Sequence, residues 1–217
     1  MKPGPDIVLA CPQCEAPIVH FTLASGNTIG AQIWTDGKMM APMLPQLPAI
    51  TKCKNCAQYF WLHKARKLGE IPLWGEGREN IPAKWKVAQQ VGELTEAEYL
   101  EALGRGLAIN RDQEIHLRTE AWRAGNDLTR FSETLESSTR DDESSQNLHQ
   151  LSILLDESIP RERIIKAEVM RNLGNFKESL RLLVFDFPQD YHQAVTLIRA
   201  CAINRDKKTR EIKEDHN

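Results

Sequence analysis

Residues 52–62 read Lys-Cys-Lys-Asn-Cys-Ala-Gln-Tyr-Phe-Trp-Leu, two cysteines in a basic turn followed at once by three aromatics. Such a pair serves thiol redox catalysis, nucleic-acid binding or metal ligation, and the rest of the chain separates these. A second pair, Cys11-Pro-Gln-Cys14, lies upstream with 38 residues between Cys14 and Cys53. Each C-x-x-C makes a tight turn presenting two thiolates, and two such knuckles face to face complete the closed tetrahedral four-cysteine shell of structural zinc. Cys11, Cys14, Cys53 and Cys56 are therefore the expected metal ligands, for one structural zinc ion. A redox motif needs one pair at the start of a helix and gains nothing from a second. Haem attachment needs histidine after the second cysteine, where this chain has Glu15 and Ala57. Four thiolates leave no position for water, so the metal is expected to hold a fold and perform no reaction. His20 and His63 then read as ordinary polar positions.

The chain between the pairs has to return to its start. Pro17–Leu23 and Thr28–Thr35 are rich in Ile, Val, Phe, Thr and Trp, and Ser25-Gly26-Asn27 between them suits a hairpin turn. A second turn is expected at Asp36-Gly37. Pro42, Pro45 and Pro48 recur every third residue, the spacing that puts prolines on one face of an extended polyproline strut. Two knuckles around β-hairpins resemble zinc-ribbon modules over residues 7–62, and the resemblance implies metal-ligand roles for the four cysteines; Glu15 and Ala57 stand where many ribbons have glycine. Trp61, Ala65 and Leu68 fall at i, i+4 and i+7, which predicts a helix over 58–69 with a basic face of His63, Lys64, Arg66 and Lys67 and Gly69 as C-cap. Tyr59, Phe60 and Trp61 are read first as a lid over the metal and second as base-stacking platforms.

Composition divides the chain. Nine of the eleven prolines lie in residues 1–82. Residues 1–70 carry seven Lys/Arg against four Asp/Glu, whereas 71–217 carry 21 against 26, and neither balance suggests strong phosphate binding. The expected organisation is a four-cysteine zinc module over 1–70, a connector over 71–83 with two prolines and two glycines, and a helical domain over 84–217. No run of about 18 apolar residues is present, and Met-Lys-Pro-Gly-Pro-Asp lacks the apolar core of a signal peptide. A cytoplasmic protein with no membrane segment is expected.

From Lys84 onwards apolar residues recur at helical spacing: Leu100, Leu103 and Leu107; Leu128, Phe131 and Leu135; Leu148, Leu151 and Leu155; Ile165, Val169 and Leu173. Five or more short helices and no strand are expected, with breaks at Gly125-Asn126, Ser137–Asn147, Ile159-Pro160, Gly174-Asn175 and Pro188. Ala-Ile-Asn-Arg-Asp occurs at 108–112 and again at 202–206, each time read as closing an apolar helix. Leu173-Gly-Asn-Phe-Lys-Glu-Ser-Leu-Arg-Leu-Leu183 resembles the inter-helix turn of tetratricopeptide repeats, with Gly174 at the turn, Phe176 as packing aromatic and Ser179 at a small contact position; Val91–Ala97 echoes it around Gly92. That resemblance implies a stack of helical hairpins and a groove for a peptide or another protein. Cys201 is expected as an inert buried thiol, and residues 205–217, rich in charge, as a solvated tail.

No nucleophile elbow, phosphate loop or zinc-protease motif is present. The fold class expected is thus a small β-rich zinc-ribbon-like module joined to an all-α, tetratricopeptide-like domain. The function expected is a non-catalytic scaffold that binds a protein or peptide partner, with nucleic-acid binding and then thiol redox activity as alternatives.

Overall fold

The computed structural model describes residues 1–75, 79–131 and 141–213. Strands come first: β1 (Lys2–Pro3), β2 (Asp6–Ala10), β3 (Pro17–His20), β4 (Leu23–Ser25), β5 (Gln32–Trp34), β6 (Met39–Met40), β7 (Ile50–Lys52), β8 (Tyr59–Trp61) and β9 (Arg66–Ile71). A short helix α1 (Ala83–Lys86) and strand β10 (Gln89–Gln90) follow, then α2 (Glu96–Gly104), α3 (Arg111–Arg130), α4 (Asp142–Leu154), α5 (Pro160–Asn172), α6 (Phe176–Leu182), α7 (His192–Ile203) and β11 (Glu211–Ile212). Small sheets in residues 2–71 and mostly helices beyond match the coarse expectation. No described helix is long and apolar enough to cross a membrane.

The chain forms two compact units that do not follow its linear order. One comprises Met1–Ala31 and Met40–Leu94, the other Gln32–Met39 and Thr95–Asn217. The expected division placed 32–39 with the cysteines and 84–94 with the helices; the structure puts each with the other set.

In the first unit a four-stranded sheet runs β10-β3-β2-β9, and β7 pairs with β8 in a separate antiparallel hairpin. The strands pair differently from the expected hairpin over Ser25-Gly26-Asn27: β3 pairs with β2, and β4 with β1. Gly26 is there for close approach, since a Cβ on it would stand 2.2 Å from the Met43 carbonyl oxygen. The helix expected over 58–69 is instead strand β8, a 3-10 turn at Leu62–Lys64, and strand β9. Three apolar positions at helical spacing lose here to aromatic residues that favour strands and find a partner in β7, while Arg66–Ile71 finds one in β2. Gly69 is accordingly no helix cap: it pairs with Val8 beside a register shift, and a Cβ on it would meet the Trp85 ring at 2.4 Å. Residues 41–49 hold a turn at 42–43 and no helix or strand.

The helices of the second unit start where the local chemistry says they should. Thr95 and Glu98 form a capping box on α2, Asn110, Asp141 and Asn175 cap α3, α4 and α6 through their side chains, and Pro160 opens α5. Gly174, at φ +84°, turns α5 into α6, and Ser179 is fully buried. Gly125-Asn126 is no break, because both lie inside α3; a Cβ on Gly125 would stand 2.3 Å from Glu96 Oε2, so glycine admits a side chain of α2. Gly92 follows a strand and so starts no helix pair. The repeated pentapeptide has two jobs, opening α3 at Asn110 and closing α7 at Asn204. Of the break expected over Ser137–Asn147, residues 137–140 and Leu135 before them lie outside the described residues, and the rest belongs to the start of α4.

The strand-free expectation for 84–217 is corrected at both ends. β10 pairs with β3, and β11 pairs with β5. The tail is partly packed and not wholly solvated: Arg205, Lys207, Arg210 and Lys213 are exposed, but Thr209 is buried, and Arg171 donates to the carbonyls of Asp206 and Lys208. Inside this unit the turn after β5 sits among charges. Asp36 accepts from Arg130 and Asn126, each at 2.8 Å, and Thr35 Oγ1 donates to Glu168 Oε1 at 2.6 Å while Glu168 accepts from Arg171.

Candidate metal centre

Two hairpins carry the four cysteines, and they are built alike. β2 enters and β3 leaves the first knuckle; β7 enters and β8 leaves the second. Ala10 pairs with Pro17 as Lys52 pairs with Tyr59, so each turn spans the same number of residues. The Cys11 N–H donates to the Ala16 carbonyl and the Cys11 carbonyl accepts from Glu15 N–H, both at 2.9 Å. Cys53 repeats this with Gln58 at 2.9 Å and Ala57 at 2.7 Å. Glu15 and Ala57 take left-handed backbone, φ 58° and 56°, the conformation glycine adopts freely at these positions. Each knuckle therefore carries on the order of 1–2 kcal/mol of backbone strain, which ligation of the adjoining cysteine can offset.

The four sulfur atoms lie within 4.8 Å of one another. Across the knuckles, Cys11 Sγ is 3.6 Å from Cys56 Sγ and Cys14 Sγ is 3.7 Å from Cys53 Sγ. All five cysteines of the chain are unbridged, and a disulfide would hold its sulfurs about 2.05 Å apart. A tetrahedron with metal–sulfur bonds of about 2.3 Å has an edge of about 3.8 Å. The observed separations thus fit sulfur atoms around a shared ion. The expected ligands are all brought together, and neither His20 nor His63 joins them among the described residues.

The electrostatics agree. Cys11 and Cys53 are buried among Leu9, Ile18, Phe60 and Leu62. Burial pushes the Cys11 thiol up to about 12, whereas the Asn55 side-chain amide and the Ala16 backbone N–H pull Cys14 down to about 6. Asn55 Nδ2 reaches Cys14 Sγ at 3.3 Å, from one knuckle to the other. Four adjacent thiols cannot all ionise by themselves, because each new thiolate raises the cost of the next. A divalent cation removes that conflict.

Tyr59, Phe60 and Trp61 are all buried, at 8%, 7% and 6% exposure, so they form core and not a stacking surface. Arg66 and Lys67 pair with Glu15 and Glu70. Sequence reasoning missed Asn55, and it missed Gln89, whose side chain donates to the Lys52 carbonyl and accepts from Lys54 N–H, each at 2.7 Å. No spacing rule ties a glutamine in β10 to a knuckle 35 residues away. It also gave no hint of an open cleft of about 870 Å³ in the helical unit, bordered by Trp34, Arg130, Phe131, Thr196, Lys208 and Ile212. Cys201 lies on that cleft, buried, its thiol pushed up by desolvation, as expected of an inert cysteine. Comparison of the chain with protein-family models, curated proteins and solved structures gives no match.

Proposed function

We propose that the chain is a non-catalytic scaffold in which one zinc ion, held by Cys11, Cys14, Cys53 and Cys56, stabilises the first unit while the helical unit binds a protein or peptide partner. The observation that carries this reading is the all-thiolate shell: four sulfurs at tetrahedral spacing, two of them on buried residues, leave no side for water or substrate. Zinc suits such a site because it prefers four thiolates without redox change, and iron is the competitor with the same ligand geometry. Soft thiolate ligation, with no disulfide among the five cysteines, favours a reducing compartment such as the cytoplasm.

The partner role draws on the consecutive helices α5 and α6 joined at Gly174, where the sequence resembles a tetratricopeptide turn, and on the cleft of the same unit. Nucleic-acid binding loses the features that recommended it, since the aromatic trio is buried and two of the basic residues beside it have acidic partners.

Elemental analysis of the purified protein, beside affinity capture from native cells with and without ribonuclease, tests the proposal. About one zinc per chain and a reproducible protein partner that survives nuclease are expected. Purified protein without metal and with four freely reactive thiols would sink the zinc half; capture that vanishes with ribonuclease would sink the partner half.

A further inference from the structure

The two knuckles differ at one position in a way that identifies a further functional residue. Pro12 follows Cys11, and Lys54 follows Cys53. Proline has no N–H, so the first turn has no donor to satisfy there. The second turn does, and the Gln89 side chain answers it: Oε1 accepts from Lys54 N–H while Nε2 donates to the Lys52 carbonyl, both at 2.7 Å. These are the backbone groups on either side of the ligand Cys53.

The surrounding strands show why the second knuckle needs this support. The first hairpin lies inside a four-stranded sheet, where Ala10, just before Cys11, is paired with Arg66 of β9. Among the described residues, the second hairpin has only its own two strands. Lys52, in the place of Ala10, is offered a side chain instead of a third strand. The Gln89 backbone is itself in register with Ile18, beside the residue that leaves the first knuckle. One residue therefore grips the second knuckle by its side chain and the first hairpin by its main chain.

We propose that Gln89 is a positioning residue of the metal centre, a two-point clamp that fixes Cys53 at the distance from Cys11 and Cys14 that ligation needs. The inference rests on reading the four cysteines as a metal site. It makes Gln89 part of that site, although it lies 33 residues beyond Cys56.

The test uses the full chain loaded with cobalt(II), whose absorption reports thiolate number and tetrahedral geometry, and measures the rate of metal release to a chelator. Outer partners of metal ligands are typically worth about 10–100-fold in affinity. Gln89→Met should release metal about 10–100-fold faster and alter the cobalt spectrum, while Gln90→Met on the same strand should match wild type. Lys54→Pro copies the first knuckle and removes the donor that Gln89 answers. In the Gln89→Met background it should recover at least about threefold of the loss, a rescue that a general packing defect would not show. If Gln89→Met does not load metal at all, Gln89→Glu decides: it keeps the acceptor for Lys54 and loses the donor to Lys52, and it should load metal and release it faster than wild type. Wild-type release and spectrum in Gln89→Met, or in Gln89→Glu where the first variant fails, overturn the clamp and leave the metal reading intact. Wild-type protein that takes up neither cobalt nor zinc overturns both.

Discussion

Among the described residues, both units pair charges on their surfaces and only the helical unit also buries such pairs. In the cysteine unit the ion pairs are on the surface: Arg66 with Glu15 and Lys67 with Glu70 all have side chains about half exposed or more, from 48% to 64%. In the helical unit Arg130 with Asp36 and Arg171 with Glu168 are at 0% exposure. One interior is thus organised around thiols that call for a cation from outside, the other around cations and anions the chain supplies itself. The first unit should answer to metal and the second should not. Its interior pairs are worth little as net attraction, but breaking one strands a buried charge, so they specify which segment belongs where.

The largest effect is expected on the metal side. Cys53→Ser removes one of four bonds, and structural zinc contributes on the order of 10 kcal/mol to folding, more than so small a unit holds by burial. The first unit should unfold and the metal should be lost, with most far-ultraviolet helical signal retained. A variant that still binds one zinc with wild-type affinity contradicts this.

Next in size is the interior pair. Asp36→Ala leaves Arg130 buried with its main partner gone, which typically costs about 3–5 kcal/mol. Thermal melting should show that loss in the helical transition, while metal content stays at the wild-type value. A fragment beginning at residue 84 should behave similarly, because it lacks residues 32–39 and with them both Thr35 and Asp36. If it melts as cooperatively and as high as the same transition in the full chain, the buried turn contributes nothing.

What could be read from the sequence follows the same division. The four-cysteine cluster was legible because a C-x-x-C turn is local: each pair needs only three-residue spacing to present its two sulfurs together. The boundary at Ile159-Pro160 was legible for a similar reason, as proline acts on its own turn, whereas the caps Asn110 and Asp141 were passed over: one was read as closing a helix, the other as part of a break. Whatever depends on distant partners was not legible. Tyr59–Trp61 became a strand because Ile50–Lys52 pairs with it. Gly125 looked like a break until Glu96 was seen against it, and Asp36-Gly37 looked like a simple turn until Arg130 closed on it. Gln89 carries no pattern at all; its meaning lies in the carbonyl and amide groups it happens to reach.

Acid should separate the units in order. Metal–thiolate bonds compete with protons directly, so the first unit should lose metal and structure as the thiolates are protonated. Asp36 sets a lower threshold. Burial acts to raise its carboxyl, but Arg130 and Asn126 outweigh burial and hold it below the ordinary carboxylate range. A depressed folded value means that the unfolded chain binds the proton first; the stability from this group is complete above about pH 4 and is lost as pH falls through the folded value. Titration followed by metal release and by helical signal should therefore give two separate transitions, the metal one at higher pH. Coincident transitions would mean that the units do not fail independently.

The smallest test asks whether local caps matter beside that interior. The pentapeptide Ala-Ile-Asn-Arg-Asp supplies a matched pair within the helical unit. Asn110 precedes α3, and its side-chain oxygen accepts from Gln113 N–H at 2.9 Å, satisfying one of the first-turn donors that the helix cannot satisfy itself. Asn204 ends α7, where the unmatched groups are carbonyls. Its own backbone N–H bonds to the Ala200 carbonyl at 3.1 Å, a bond that any residue but proline can make. Asn110→Ala should therefore cost about 1 kcal/mol, and Asn204→Ala no more than about 0.5 kcal/mol. Both values lie well under that for Asp36→Ala. Equal losses at the two asparagines, measured by denaturant unfolding of the full chain, would show that the difference in capping seen here does not reach the energetics of the unit.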